Sequence, residues 1–358
     1  MMVNIFVLAA LLVTSAFQPS ITHRDFFINS DPGIRLFVRE VTVGQNGSGK
    51  PILLVHGARV PGIASFDLPV SGGSLAEDLA QRGFDVYILD LRGYGQSTRP
   101  KEMDEPPTAH PPLVRSNEAV RDIAATVDWI RSRRGLASVV LFGWATGGHW
   151  AAHYASLYPE KVSALIVLNS LYGANSPHPL MGHGSDMEDP AHPGHFNRSV
   201  CGAYRLNDAQ SLLRQWDRSI PVEDKSQWRD PAIAKAYVDA ALASDPTSNS
   251  RTPPSMRSPC GALEDSFYLA IGRRLFDASL ITAPVLIVAS ERDFWSRPED
   301  RQAMADELVH SPKVRVVVIP SATHLVHLDR PEHGRDTLLK EISEFAGAAA
   351  ASGVAAHH

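Results

Sequence analysis

Cysteine is nearly absent from this chain: among 358 residues only Cys201 and Cys260 carry thiols. Two cysteines cannot build the dense bridging of a small secreted scaffold or a four-thiolate zinc site. An excess of positive charge is missing too. Lys and Arg total 34 against 39 Asp and Glu, giving a net charge of −5, and no basic cluster marks a nucleic-acid or anionic-membrane surface. No nucleic-acid partner is therefore expected. The apolar stretch from Ile5 to Phe17 falls short of the roughly 20 residues a bilayer-spanning helix needs, so no stable membrane insertion of the mature chain is expected. Its small residues Thr14, Ser15 and Ala16 fit a signal-peptidase site, although no Lys or Arg precedes it. Residues 1–20 are read as a secretory leader, which makes the protein secreted or periplasmic; a cytoplasmic protein with an apolar N-terminal segment is the alternative.

Hydrophobic residues, in contrast, make up 44% of the chain, enough for a full core. Strand-like and helix-like patterns alternate along it. Residues 24–28 and 34–43 predict an antiparallel pair around the turn Asp31-Pro32-Gly33. A strand follows, ending at Val55, then a helix over 75–82, a strand over 85–89, and an amphipathic helix over 117–133 with Val120, Ile123, Val127 and Ile130 on one face. Further strands are expected at 138–142, 162–168, 283–289 and 314–319. This order predicts an α/β, doubly wound, mostly parallel sheet.

Between the strand at 138–142 and the helical run beginning at His149 lies Gly143-Trp144-Ala145-Thr146-Gly147-Gly148. Strand, sharp turn and helix, framed by glycines that permit close backbone approach, is the context of a nucleophile elbow. Position 145 is its centre, and alanine has neither a lone pair nor a proton to give up. Three explanations fit: a deliberate substitution of a serine, with Asp or Cys also open as the original residue; a natural relative that binds without reacting; or a shifted frame in which Thr146 attacks. The terminal His357-His358 would suit the remnant of a purification tag, and the first explanation is the reading adopted.

The partners such a nucleophile needs occur downstream in order. Asp293 ends the strand that starts near Ala283, and His324 follows the strand at 314–319. An imidazole must take the hydroxyl proton and later return it, while a carboxylate fixes its tautomer. His327, at the apparent start of a following helix, is the rival base; Glu291 is the rival acid. The strand ending at Val55 runs into His56-Gly57-Ala58-Arg59, a glycine turn able to present an N–H. Ala58 and Thr146 are the expected oxyanion donors, with Arg59 able to replace or supplement Ala58. His56 is read as a structural hydrogen bonder.

Together, His56-Gly57, the turn Leu89-Asp90-Leu91-Arg92-Gly93-Tyr94-Gly95-Gln96-Ser97, the elbow, Glu291-Arg292-Asp293 and Thr323-His324 resemble the α/β-hydrolase superfamily. The likeness is to its lipase, esterase and cofactor-free haloperoxidase-like branch, and it spans residues 22–345 except the segment between the sixth and seventh strands. It implies an eight-stranded sheet and no cofactor. It also implies a triad of nucleophile at 145, Asp293 and His324 acting on a small-molecule ester through an acyl-enzyme, inactivated here by Ala145. A lactonase, thioesterase or carbon–carbon bond hydrolase would use the same machinery, and a non-catalytic ligand-binding relative is the reading from another class. Asp90 to Ser97 is implied to be structural, with Arg92 and Ser97 bonding within loops.

The resemblance also implies that residues 172–280, rich in Pro, His, Asp and Ser, form a lid with helices of its own at 208–216, 231–243 and 263–276. They would separate a first core part, 21–171, from a second, 281–346. Trp216, Trp228 and Phe267 in the lid, with Arg59 and Trp144 in the core, are expected to line the substrate pocket. His178, His183, His192 and His195 sit among Asp186, Glu188 and Asp189 without an ordered ligand spacing, and no metal is expected. Cys201 and Cys260 would be joined in an oxidising compartment and free in the cytoplasm. Residues 347–358, nearly all Ala, Gly and Ser before the histidines, are read as a disordered tail. Oligomeric state is left open.

Overall fold

The first reversal among the described residues falls at Gly33, whose φ of +80° favours a residue without a β-carbon. In a computed structural model describing residues 20–45 and 47–351, this turn joins β1 (Ile21–Asn29) to β2 (Arg35–Val43) as an antiparallel pair. There follow β3 (Lys50–Val55), α1 (Gly62–Phe66), α2 (Leu75–Gln81), β4 (Phe84–Asp90), α3 (Ser116–Arg134), β5 (Val139–Trp144), α4 (Thr146–Leu157) and β6 (Val162–Leu168). Among the described residues eight strands form one sheet in the order β1-β2-β4-β3-β5-β6-β9-β10, where β9 is Val285–Arg292 and β10 is Val314–Thr323. From β4 to β10 every neighbouring pair is parallel. The leader assigned to residues 1–20 lies almost wholly outside the described residues.

Strands β3 to β6 are nearly continuous apolar runs because helices cover both faces of the sheet. Successive side chains alternate between two cores. Ile52, Leu54, Ile88, Phe142 and Ile166 face α2 and the C-terminal helix α9 (Arg335–Ala351). Leu53, Val55, Leu89, Leu141 and Val167 face α3, α4 and α8 (Pro298–Glu307).

Between β6 and β9 the chain forms β7 (Tyr204–Asp208), α5 (Ala209–Asp217), α6 (Pro231–Ala243), β8 (Ser255–Pro259) and α7 (Gly261–Ala270). The first two helices match the expected spans within a residue. The third stops at Ala270 rather than Phe276, where Gly272 takes φ +81°. The antiparallel β7–β8 pair was not expected, because its residues are polar and their burial depends on side-chain bonds rather than on an apolar pattern. Asn207 Nδ2 donates to Ser258 Oγ at 2.9 Å, and Arg257 Nε to Asp245 Oδ2 at 2.9 Å. Cys201 and Cys260 are joined, with their Cα atoms 5.9 Å apart.

Two differences concern the C-terminal part. Residues 325–328 form turns rather than the start of a helix, a single 3-10 turn follows at Pro331–His333, and α9 begins at Arg335. That helix continues to Ala351, into the segment read as a tail, since alanine is the strongest helix former. Residues 352–358 lie outside the described residues.

At the β5–α4 junction Ala145 takes φ 52° and ψ −118°, and its N–H donates to Leu168 O at 2.8 Å. A β-carbon on Gly147 would strike the carbonyl oxygens of Val55 and His56, and one on Gly143 would strike Gly147. Gly147→Ala should therefore lower stability by about 2–3 kcal/mol through forced overpacking. Ala145→Gly should leave it unchanged or raise it by up to about 1 kcal/mol by relieving the positive φ. Denaturant unfolding of the two variants checks both expectations.

Candidate active site

The strained turn at residue 145 and the loop after β3 meet at the carboxyl end of the sheet. A β-carbon placed on Gly57 would lie 3.5 Å from Ala145 Cβ. Above them is a cavity of about 70 Å³ whose lining includes Ala58, Arg59, Trp144, Ala145, Thr146 and His324 from the core. Arg205, Gln215, Tyr237 and Leu263 reach it from the insertion, and Phe294 and Trp295 from the loop after β9.

His324 follows directly on β10. Its Nδ1 lies 2.6 Å from Asp293 Oδ1, which leaves Nε2 as the nitrogen open to the cavity. Asp293 is held in turn by the N–H groups of Trp295 at 3.0 Å and Ser296 at 2.8 Å. The backbone at His324 is fixed as well: its carbonyl accepts from Trp144 Nε1 at 2.9 Å and Asn169 Nδ2 at 3.1 Å. Asn169 sits at φ 52° and also bonds Ser290, tying the ends of β6 and β9 to the histidine loop. Asp329, buried and pushed up to about 6 by desolvation, accepts from the Thr323 N–H and hydroxyl and from Trp216 Nε1 at 2.7 Å.

The turn after β3 is organised by His56. This buried imidazole contacts Gly57 O through Nδ1 at 2.7 Å and accepts the Leu91 N–H on Nε2 at 3.2 Å. Accepting at Nε2 makes Nδ1 the protonated nitrogen, and burial lowers the pKa to about 4. Tyr94 Oη donates to Ala58 O at 3.0 Å. In a trans peptide the N–H points opposite the carbonyl, so holding Gly57 O fixes the direction of the Ala58 N–H. Among the described residues neither the Ala58 nor the Thr146 N–H has a protein acceptor.

The rival residues are placed elsewhere. Glu291 is exposed and accepts the Ser321 N–H at 2.7 Å. His327 is fully buried, packs 4.5 Å from the Trp144 ring and 5.6 Å from Phe66, and leaves both ring nitrogens without a partner. Three of the five expected pocket residues also need correction. Trp216 is buried with its indole N–H on Asp329. Trp228 stacks 3.9 Å from His333 and donates to Ser321 O. Phe267 packs with Phe196 around the Cys201–Cys260 bridge. Trp216 and Trp228 are drawn into packing between the insertion and the core and Phe267 into the insertion's own cluster, so none of the three lines the cavity, while Arg59 and Trp144 do. Arg92 does not bond within its loop but reaches Asp122 on α3 and Asp31 in the first turn. The insertion's histidines form local pairs, His183 with Glu188 and His192 with Asp189, and His178 bonds Trp295 O.

An eight-stranded sheet of this order, with a nucleophile-type elbow after β5 and an acid–histidine pair after β9 and β10, defines the α/β hydrolase fold. Over residues 50–331 the chain matches the family model for that fold, and it belongs to the family. It is 28% identical over 169 residues to bifunctional epoxide hydrolase 2 of Sus scrofa, covering 47% of this chain and 26% of that protein. It is 35% identical over 117 residues to abhydrolase domain-containing protein abhd-5.2 of Caenorhabditis elegans, covering 33% and 22%. The match thus spans 26% or less of the length of these two relatives. Among solved structures, an esterase from Thermogutta terrifontis superposes with a TM-score of 0.57 at 22% identity, over 91% of this chain and 99% of that one. At that identity the likeness establishes the fold. Among the described residues no helix is long and apolar enough to cross a membrane.

His327 generates a test of this packing. Desolvation, with repulsion from His324 and Arg335, holds its pKa well below 6.5. Below pH 6.5 the unfolded chain therefore takes up a proton that the folded one refuses, and stability falls with pH. His327→Phe should remove this contribution, so that between pH 7 and pH 5 the variant loses about 2 kcal/mol less unfolding free energy than the parent. Urea melts at the two pH values measure the difference.

Proposed function

We propose that the protein is built as a serine hydrolase of carboxylic esters, working through an acyl-enzyme, and that Ala145 stands where its nucleophile acts. The observation that carries this reading is that Ala145, at the elbow, and His324, paired with Asp293 at 2.6 Å, line one cavity. With a serine at 145, its oxygen attacks the ester carbonyl while His324 Nε2 takes the hydroxyl proton. Asp293 holds the Nδ1 proton and stabilises the imidazolium. The N–H groups of Ala58 and Thr146 receive the negative charge that develops on the carbonyl oxygen. His324 then returns the proton to the departing alcohol, and water cleaves the acyl-enzyme by the same route in reverse order. With a methyl group at 145 there is no oxygen to attack and no proton to pass on, so the chain retains the binding site without the reaction. The Cys201–Cys260 bridge supports an oxidising compartment for the protein.

A second reading, a protein that binds a ligand without reacting, draws on Ala145 itself, since it is the one part of this arrangement without chemistry. The two readings separate in one experiment. Ala145→Ser should give a burst and turnover with p-nitrophenyl butyrate, and adding His324→Ala should lower kcat at least about a thousandfold. A folded Ala145→Ser protein with no turnover would favour the binding reading. Ala145→Asp assayed with a styrene epoxide tests whether the chemistry of the Sus scrofa relative fits this site instead; the ester reading expects no turnover there.

A further inference from the structure

The cavity above Ala145 contains two cationic side chains and no acidic one. Arg59 follows the proposed donor Ala58 in the turn after β3, and Arg205 lies on β7. Several other arginines of the insertion are matched, Arg257 with Asp245 and Asp104, Arg251 with Asp245, and Arg229 with Asp217; Arg214, Arg218 and Arg273 have no carboxylate partner among the described residues but do not line the cavity. Among the described residues neither Arg59 nor Arg205 has a carboxylate partner. Arg59 Nη1 donates to Asn207 Oδ1 at 2.8 Å, whereas the buried Nε of Arg205 has no acceptor at all.

The local structure holds the two groups in place. Residues two apart on a strand share a face, so Arg205 and Asn207 of β7 point the same way, and Asn207 takes Arg59. Ser258 on β8 closes the arrangement by donating to Arg59 O at 2.6 Å and accepting from Asn207 Nδ2. The β7–β8 pair therefore fixes both the backbone and the head of Arg59 beside Arg205. Desolvation lowers the pKa of both guanidinium groups, and for Arg205 the neighbouring Arg59 lowers it further. Guanidinium nevertheless keeps its proton in proteins, so the pocket holds unmatched positive charge, a costly arrangement that an anion would relieve.

We propose that Arg59 and Arg205 form an anion subsite beside the elbow, and that the ligand is a short ester bearing a second, ionised carboxylate a few bonds from its scissile carbonyl. A carboxylate is favoured because its plane matches the guanidinium fork. The small cavity, about 70 Å³ against the roughly 300–1,000 Å³ of a drug-sized site, suits a short chain. The ester part of this inference rests on the hydrolase reading above; the anion part does not.

The unaltered chain, with Ala145 in place, is the protein to test, because it cannot consume the ligand. Calorimetric titration with monomethyl succinate should give binding at least tenfold tighter than with dimethyl succinate, and added salt should weaken the preference. Arg205→Gln should abolish the preference, and Arg205→Lys should keep part of it. Equal binding of the two esters, no binding of either, or a preference that survives in a folded Arg205→Gln protein would overturn the subsite. Inorganic phosphate binding more tightly than monomethyl succinate would overturn its assignment to carboxylates. Repeating the comparison as kcat/KM in the Ala145→Ser protein separates the two readings. A silent variant whose parent still prefers the monoanion would refute the hydrolase reading and leave the subsite standing.

Discussion

The first turn of α4 lies directly against the carbonyl oxygens of Val55 and His56, an approach that only glycine at 147 allows. Much of the site depends on this one backbone contact. It sets the elbow at the end of β3, so the turn carrying Gly57 and Ala58 begins beside residue 145. Two residues before Gly147, residue 145 takes a positive φ with its side chain toward the cavity. The parallel pairings of β3 with β5 and of β6 with β9 then bring the loops holding Asp293 and His324 to the same end of the sheet. In open α/β sheets this carboxyl end is where ligands bind.

Around that contact the molecule spends its buried polar groups on orientation. His56 and Tyr94 hold two successive carbonyls of the turn after β3, Trp144 and Asn169 hold the carbonyl of His324, and Asp329 holds Thr323. Each of these groups acts on the backbone beside a proposed site residue. Such support keeps side chains within the small tolerances that acyl transfer demands. It persists around an alanine, which gains nothing from a strained backbone, and this is the strongest structural sign of what the elbow is built to carry.

Much of this was legible in the amino-acid sequence. Buried parallel strands read as unbroken apolar runs, and the glycines of the elbow and the turn after β3 mark positions where no side chain fits. The positions of Asp293 and His324 followed from strand order. The insertion was harder to read. Strands β7 and β8 are polar, and their pairing rests on Asn207, Ser258 and Arg257 finding partners distant in sequence. Arg205 was missed for the same reason: alternation places it with Asn207, but only the tertiary fold shows which face meets the cavity. The aromatic residues Trp216, Trp228 and Phe267 suggested a pocket because large apolar side chains line pockets and fill cores equally well. The turns around His327 looked helical because Leu325, Val326 and Leu328 are buried in a loop rather than along a helix face.

The central claim is that position 145 is the seat of a nucleophile served by His324. Its most direct test is covalent labelling with a fluorophosphonate, followed by peptide mass mapping. The account predicts one adduct per Ala145→Ser chain, on residue 145, strongly slowed by His324→Ala, and no adduct on the unaltered protein. Labelling of Thr146 in the unaltered protein, or an Ala145→Ser protein that folds and stays unlabelled, would contradict it.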